Sequence, residues 1–536
     1  MTFDSIIIGA GSAGCVLANR LSADPSRRVL LVEAGPSDWH PFIHMPAGLA
    51  KLMSRSKINW NYDTEPVSEL ENRRLWWPRG KVLGGSSSIN AMCYVRGIPS
   101  DYAHWAEVSG DARWGWVSVL DYFKRAEDNQ RGADAWHGTG GPLTVADLRY
   151  HNPLSDTLIE AALAAGYAHN PDFNGPEQAG FGLYQVTQRN GARCSAATAY
   201  LKPVRNRHNL SIRTHTLAER IEISQGRACG VWIRDHRGRA HLLEAGEVVL
   251  CGGTINSPQL LMLSGIGPAD HLRAHGIHVH HEAPGVGANL QDHLDICTLV
   301  STSYRDTYDH PSDVRVALQY LLHRQGIGTS NIAEAGGFMR SRLAESAGCD
   351  LQFHFVPALL DDHGRHRLSG NGYTLHACAL HPKSRGCIRL ASADPGVAAS
   401  ITPGYLSDPE GYDLDMLIEG VQQSRELFAQ TPFDSYRGQE IFPGADVTDR
   451  VALAAFIRHK AETIYHPVGT CRMGGDSQAV VDSELRVHGI TGLRVVDASI
   501  MPNLPTGNTN APVIMIAEQA ADRILSRAAT EPNPSR

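Results

Sequence analysis

Three glycines near the N-terminus, Gly9, Gly11 and Gly14, have the spacing of a dinucleotide-binding turn. That spacing serves pyrophosphate binding. Gly9 allows the tight turn, Gly11 lets the backbone approach the phosphates, and Gly14 lets a helix pack closely on a strand. With 52 glycines among 536 residues the bare pattern arises about 0.5 times by chance. Its context is more specific. An apolar run, Phe3 to Ile8, precedes it, and the helix-forming stretch Cys15 to Leu21 follows. A second apolar run, Val29 to Val32, ends on Glu33, whose carboxylate would accept hydrogen bonds from ribose hydroxyls. No Arg follows Glu33 directly, so a 2′-phosphate is not expected, and the turn alone does not separate NAD from FAD. Histidine is the natural proton acceptor near neutral pH. The chain has 26, so an arbitrary one is surface or structural.

The elements that must hold these residues are legible in part. Strand, glycine turn, helix and second strand form a βαβ unit over the first 35 residues. Residues 36 to 90, rich in Pro, Trp and Asn, are expected to be extended loops. An amphipathic helix is predicted over 153 to 166, and hairpin-like strands over 210 to 250. A helix is predicted from Pro258 to Leu263. Beyond residue 300 the spacing predicts strands at Leu351 to Val356 and Thr374 to Leu380, and helices at Val314 to His323 and Leu414 to Phe428. The strand Leu493 to Asp497, a loop and a helix from Ala511 to Ser526 return to the nucleotide-binding texture. The expected fold is therefore mixed α/β: a Rossmann-like nucleotide-binding domain, discontinuous in sequence, with an inserted domain of antiparallel sheet plus helices. The expected boundaries are 1–152, 200–300 and 456–527 for the first domain, 153–199 and 301–455 for the second, and 528–536 for a flexible tail.

Composition narrows the function classes. The net charge is −7 and charged residues make up 20%, with no long Lys/Arg run, which argues against nucleic acid as a partner. None of the ten cysteines forms a C-x-x-C pair, so neither a metal site nor a disulfide framework is expected, and a reducing, cytoplasmic setting fits. No run of 18 apolar residues occurs, so no transmembrane segment is expected. Composition neither supports nor opposes a peripheral contact with an inner membrane.

Three further segments carry a resemblance. They are Pro78 to Met92 (PRGKVLGGSSSINAM), Gly252 to Gly267 (GGTINSPQLLMLSGIG), and a C-terminal set of His466 to Gly474, Val496-Asp497-Ala498-Ser499 and Gly507-Asn508-Thr509-Asn510-Ala511-Pro512. With the first 35 residues, these resemble the glucose–methanol–choline (GMC) oxidoreductase family over nearly the whole chain. Within it the text is most similar to bacterial choline-dehydrogenase-like alcohol dehydrogenases, and more narrowly to the quinone-linked aliphatic alcohol and polyethylene glycol dehydrogenases. The stretches behind this are 152–155, 181–188, 352–355 and 382–386.

The resemblance implies FAD. It implies contacts to the ADP half at Gly9, Gly11, Ser12, Ala13, Gly14, Glu33 and Ala34. Arg79, Gly80, Val82, Gly84, Gly85, Ser86, Asn90, Ala91 and Met92 would belong to the segment passing over the flavin. Ala218 would meet adenine, Asp497 and Ala498 the pyrophosphate and ribityl chain, and Asn508, Thr509 and Asn510 the pyrimidine edge. Some members attach the flavin through a His just before the Asn of the first motif. Ile89 stands there, so a non-covalent FAD is expected.

The implied chemistry is alcohol oxidation to an aldehyde, with His466 as base and Asn510 as its amide partner, the electrons passing to a quinone or another carrier. An oxidase using dioxygen, a redox-neutral lyase of the same family and a non-enzymatic nucleotide-binding module are the competing readings. Glu334 resembles the place where choline-oxidising relatives keep a headgroup carboxylate, and is equally read as a hydrogen-bonded structural acid. Gln352 and His354, alternating on one strand face, and the aromatic Tyr465 are candidate substrate contacts.

Overall fold

The computed structural model describes residues 2–52, 55–309, 312–366 and 368–530. Along the chain, β1 (Phe3–Ile8), α1 (Ser12–Leu21) and β2 (Val29–Val32) come first. α2 (Pro153–Ala164) and β3 (Gly180–Leu183) follow, then β4 (Leu210–Arg213), β5 (Leu217–Ser224), β6 (Arg227–Arg234) and β7 (Ala240–Leu250). α3 (Gly253–Leu263) leads to β8 (Leu294–Thr302), α4 (Asp313–His323), β9 (Ala335–Met339), β10 (Leu351–Val356), β11 (Asn371–Ala379) and α5 (Tyr412–Phe428). After these come β12 (Glu440–Phe442), β13 (Glu462–Thr463), β14 (Leu493–Val495) and α6 (Asn510–Thr530).

Two sheets organise the molecule. The first runs β4-β2-β1-β7-β6-β5, with β14 beside β7. Its β4, β2, β1, β7 and β14 are parallel, and β1 and β2 are nearly continuous apolar runs buried on both faces, as a parallel sheet between helices requires. The expected hairpins over 210 to 250 hold for β5, β6 and β7 only. β4 lies parallel to β2 instead, because β2 needs a second partner for its backbone.

The second sheet runs β12-β8-β11-β10-β9-β3, with β13 beside β8, and every pairing is antiparallel. β8 begins at Leu294, ahead of the expected boundary at 300, and β13 lies beyond the expected boundary at 455 yet pairs in this sheet. The stretch 36 to 90 is less extended than expected and folds into short helical turns such as Pro41–His44 and Gly85–Ser88.

α3 starts at Gly253, five residues before the expected Pro258, which sits inside the helix. A proline there leaves the carbonyl of Thr254 without its helical donor. The Thr470 hydroxyl fills that gap, donating to Thr254 O at 2.6 Å, while Thr254 Oγ1 donates to Pro467 O at 2.7 Å. A helix irregularity thus ties α3 to the segment carrying His466. α6 extends to Thr530, into the expected tail, and residues 531–536 of that tail lie outside the described residues.

Candidate active site

A cavity of about 660 Å³ lies between the two sheets. Its nucleotide end is built by the glycine turn. A Cβ on Gly14 would come 1.9 Å from Gly9 O, so only glycine lets α1 pack here, whereas a Cβ on Gly11 would meet no protein atom within 4 Å and would project into open space. α1 starts at Ser12 with no side-chain cap, leaving its first N–H groups for an anion. Glu33 is buried on the cavity wall, accepting from Ala10 N at 2.9 Å and Gly35 N at 2.8 Å. Burial pushes its carboxyl up to about 7.

Gly9, Gly11, Ser12, Ala13, Glu33, Ala34, Arg79, Gly80, Gly85, Ser86, Asn90, Ala91, Met92, Ala218, Asp497, Ala498, Asn508, Thr509 and Asn510 all line this cavity. Gly14, Val82 and Gly84 do not: they pack behind it. Asp497 is already fully engaged, accepting from Gly253 N, Ser257 Oγ, Ser499 N and Ser499 Oγ, and so holds two loops at the cavity wall. Buried Arg193 braces the 84–91 segment by donating to Ser87 O, Asn90 O and Asn90 Oδ1.

At the other end one face of the second sheet supplies polar side chains. Alternation along β8 and β10, with cross-strand register, places Asp295, Cys297, His376, Gln352 and His354 on that face, and His293 precedes β8 in step. His466 is buried above them and lines the cavity. Its backbone N–H donates to Asp292 Oδ1 at 2.8 Å, and Asp292 Oδ2 accepts from Thr463 Oγ1 and Tyr405 Oη. Tyr465, immediately before, adopts φ 73°, a left-handed backbone that a tyrosine rarely takes. Tyr465 lines the cavity, and Arg79 Nη2 donates to its carbonyl at 2.9 Å.

The protonation of His466 follows from its neighbours. Leu380 O needs a donor, so His293 Nε2 carries the hydrogen at 3.1 Å. His293 is then an acceptor at Nδ1, and His466 Nδ1–H donates to it at 3.0 Å. That leaves the lone pair of His466 on Nε2, where Asn508 Nδ2 donates at 3.1 Å. Asn508 is oriented in turn by Gln352 Nε2, which donates to Asn508 Oδ1 at 3.0 Å. Burial, with His293, His354 and Arg79 nearby, lowers His466 well below the usual histidine range. Burial lowers His293 and His354 to about 3, so all three rings are neutral at pH 7.

Several expected residues fall elsewhere. The amide beside His466 belongs to Asn508. Asn510 opens α6, and its Oδ1 accepts from Ser12 Oγ at 2.7 Å, turning it toward the glycine turn. Glu334 does not line the cavity. It is buried, and accepts from Asn152 N at 2.7 Å, Ser155 Oγ at 2.8 Å, Ser330 Oγ at 2.5 Å and the Tyr308 hydroxyl, so both its oxygens are engaged away from the cavity. Gln352 sits one layer behind the cavity, against Asn508, whereas His354 lines it and stacks on Tyr184 at 5.0 Å. Asp292 and His293, which sequence reasoning passed over, adjoin one another in Gln291-Asp292-His293. Their only sequence signal is a run of polar residues leading into a buried strand.

Models of the GMC oxidoreductase family match residues 3–295 and 382–517. The chain belongs to that family. This GMC oxidoreductase is 49% identical over 533 residues to an alcohol dehydrogenase [acceptor] of Pseudomonas putida, covering 98% of this chain and 96% of the relative. It is 46% identical over 534 residues to an oxygen-dependent choline dehydrogenase of Rhizobium etli, covering 98% and 96%. Among solved structures, pyridoxine 4-oxidase from Mesorbium loti superposes with a TM-score of 0.90 at 34% identity, covering 99% of this chain and 100% of that one. A formate oxidase variant of Aspergillus oryzae superposes with a TM-score of 0.92 at 26% identity, covering 99% of each chain.

The protein is an FAD-dependent oxidoreductase, and its cavity fits the cofactor. The open space beyond Gly11, the uncapped start of α1 and the buried carboxylate of Glu33 suit a pyrophosphate and a ribose. Ile89, at the position of covalent attachment in some relatives, is buried against the cavity wall and has no nucleophilic atom.

Proposed function

We propose that this GMC oxidoreductase oxidises a primary alcohol to the aldehyde and passes the electrons to a quinone or another carrier, using dissociable FAD. FAD supplies the hydride acceptor, its N5. The chain's part is to take the hydroxyl proton and to hold the carbinol carbon. His466 Nε2 takes the proton, because the Leu380–His293 chain keeps its lone pair on the cavity side. Asn508 Nδ2, which donates to that Nε2 at 3.1 Å, would turn an N–H to the alcohol oxygen once the hydroxyl takes its place on the ring, and would set its orientation. His354 Nδ1 is buried without a partner and lines the same cavity, which suits a second donor to substrate. The observation that carries this reading is the contact chain Leu380 O–His293–His466–Asn508, which assigns His466 as a neutral base with its acceptor nitrogen beside an amide donor. Base catalysis of this kind contributes about 10²–10⁴-fold.

A membrane-borne quinone is one such carrier, and an enzyme reducing it would meet the bilayer peripherally. Among the described residues no helix is long and apolar enough to cross a membrane. Anaerobic mixing with 1-alkanols, aromatic alcohols, choline and glycol oligomers tests the half-reaction. Bleaching of the flavin by a primary alcohol is the expected result, and an unbleached flavin with every alcohol would leave the lyase reading. Quinone reduction without peroxide release is expected in air, and stoichiometric peroxide would make the protein an oxidase.

A further inference from the structure

Helix α4 is amphipathic with its sides reversed. Val314, Leu318, Leu321 and Leu322 are 70%, 52%, 70% and 70% exposed, while Tyr320 is buried beneath them. At 3.6 residues per turn the four aliphatic side chains share one arc of about 100°. A helix of a soluble surface presents the opposite arrangement, and an exposed aliphatic stripe of this kind marks a contact surface.

The segment to which α4 is tied carries exposed apolar and cationic side chains of its own. Tyr320 Oη donates to His44 O at 2.7 Å, and His44 Nε2 lies 2.7 Å from Asp38 O. Beside Asp38 is Trp39, 73% exposed. Phe42 in the same segment is faced by Lys51 Nζ at 5.7 Å and the Arg55 guanidinium at 5.8 Å. Residues 38–57 and 312–325 together hold five Lys/Arg (Lys51, Arg55, Lys57, Arg315 and Arg324) against Asp38 and Asp313, in a chain whose net charge is −7. Aliphatic side chains, an exposed indole and a cationic fringe together are the composition of a helix lying in the interface of an anionic bilayer.

The same segment reaches the active site. Leu49 lines the cavity, and Phe42, Ile43 and Leu52 pack in one apolar cluster with Ile89, another cavity residue. We infer that α4 together with residues 38–52 and 55–57 docks this enzyme on an anionic phospholipid surface, with the Val314–Leu322 stripe in the acyl boundary and the cations among the headgroups. This deepens the peripheral membrane reading above. A docked enzyme would hold this apolar flank of the flavin cavity against the membrane, where a lipophilic acceptor is dissolved.

The test is flotation of the FAD-loaded enzyme with vesicles of phosphatidylglycerol and phosphatidylethanolamine, against pure phosphatidylcholine. It reads binding without any acceptor, so its failure and the failure of the quinone reading are distinguishable. Wild type is expected to float with the anionic vesicles, less so at high salt, and the double variant Leu318→Glu/Leu322→Glu to bind at least about tenfold more weakly while retaining flavin and dye-linked turnover. Absence of wild-type binding, or equal binding by the variant, overturns the proposal. So does a wild-type dimer that the variant converts to monomer without vesicle binding, which would make a second copy the occupant. A bimane label on Leu322→Cys is an independent check: it should shift to the blue and be quenched by brominated acyl chains, and an unchanged spectrum counts against the docking face.

Discussion

Asn508 Nδ2 donates to His466 Nε2 across 3.1 Å, whereas Asn510, two positions later, turns its carboxamide to Ser12. Asn508 lies in the loop before α6, free to face the second sheet, while Asn510 is the first residue of that helix. The two asparagines therefore face different partners: one the His466 ring, the other the glycine turn.

His466→Ala should slow flavin reduction by about 10²-fold or more with FAD still bound. Anaerobic stopped-flow absorbance measures this. Equal reduction rates in the two proteins would remove His466 from the chemical step.

Asn508→Ala should slow the same step by about tenfold to a hundredfold, because the alcohol oxygen loses an orienting donor. Asn510→Ala should leave flavin reduction nearly unchanged and weaken FAD retention or the start of α6. If the Asn510 variant lost reduction and the Asn508 variant kept it, the roles would be reversed.

Gly11→Val should yield a folded protein without yellow colour. The added Cβ meets no protein atom within 4 Å, so folding should be largely spared, while the side chain fills the space the pyrophosphate needs. Absorbance at the flavin band against thermal unfolding separates the two effects, and a purified variant that stays yellow would contradict them.

Glu334→Gln should lower stability by about 1–3 kcal/mol: the amide oxygen keeps the Asn152 N–H and Ser155 donors, but its NH₂ replaces the oxygen that accepts from the Ser330 and Tyr308 hydroxyls, which must turn round to accept. The ranking of alcohols by kcat/KM should not change. A selective loss of choline turnover would return Glu334 to the substrate site.

Thermal stability should fall as pH rises from about 6.5 to 8, with Glu33, raised to about 7, among the groups responsible. Burial lowers His293, His354 and His363 to about 3, so below about pH 6.5 the unfolded chain binds protons that the folded one does not, and stability is lost as pH falls. Burial raises Asp292 to about 6 and Glu462 to about 8. There the folded chain holds protons that the unfolded carboxylates have already released, so stability declines as pH rises toward 8. Calorimetric scans showing a melting temperature still climbing from pH 6.5 to 8 would oppose this balance.

The sequence by itself determined the nucleotide turn, the acid at the end of β2, the family motifs and His466, because these are local patterns whose spacing carries their meaning. It also determined that β10 and α4 exist, since apolar periodicity shows within one segment. Only the tertiary structure decided that Asn508 rather than Asn510 meets His466, that Glu334 is enclosed by hydrogen bonds away from the cavity, and that His293 sets the tautomer of His466. Each of these depends on which residues distant in the chain are neighbours across the second sheet. The same holds for α4: its periodicity marks an apolar face, but periodicity does not say whether that face turns inward, and the burial of its Tyr320, bonded to His44 O, turns that face out.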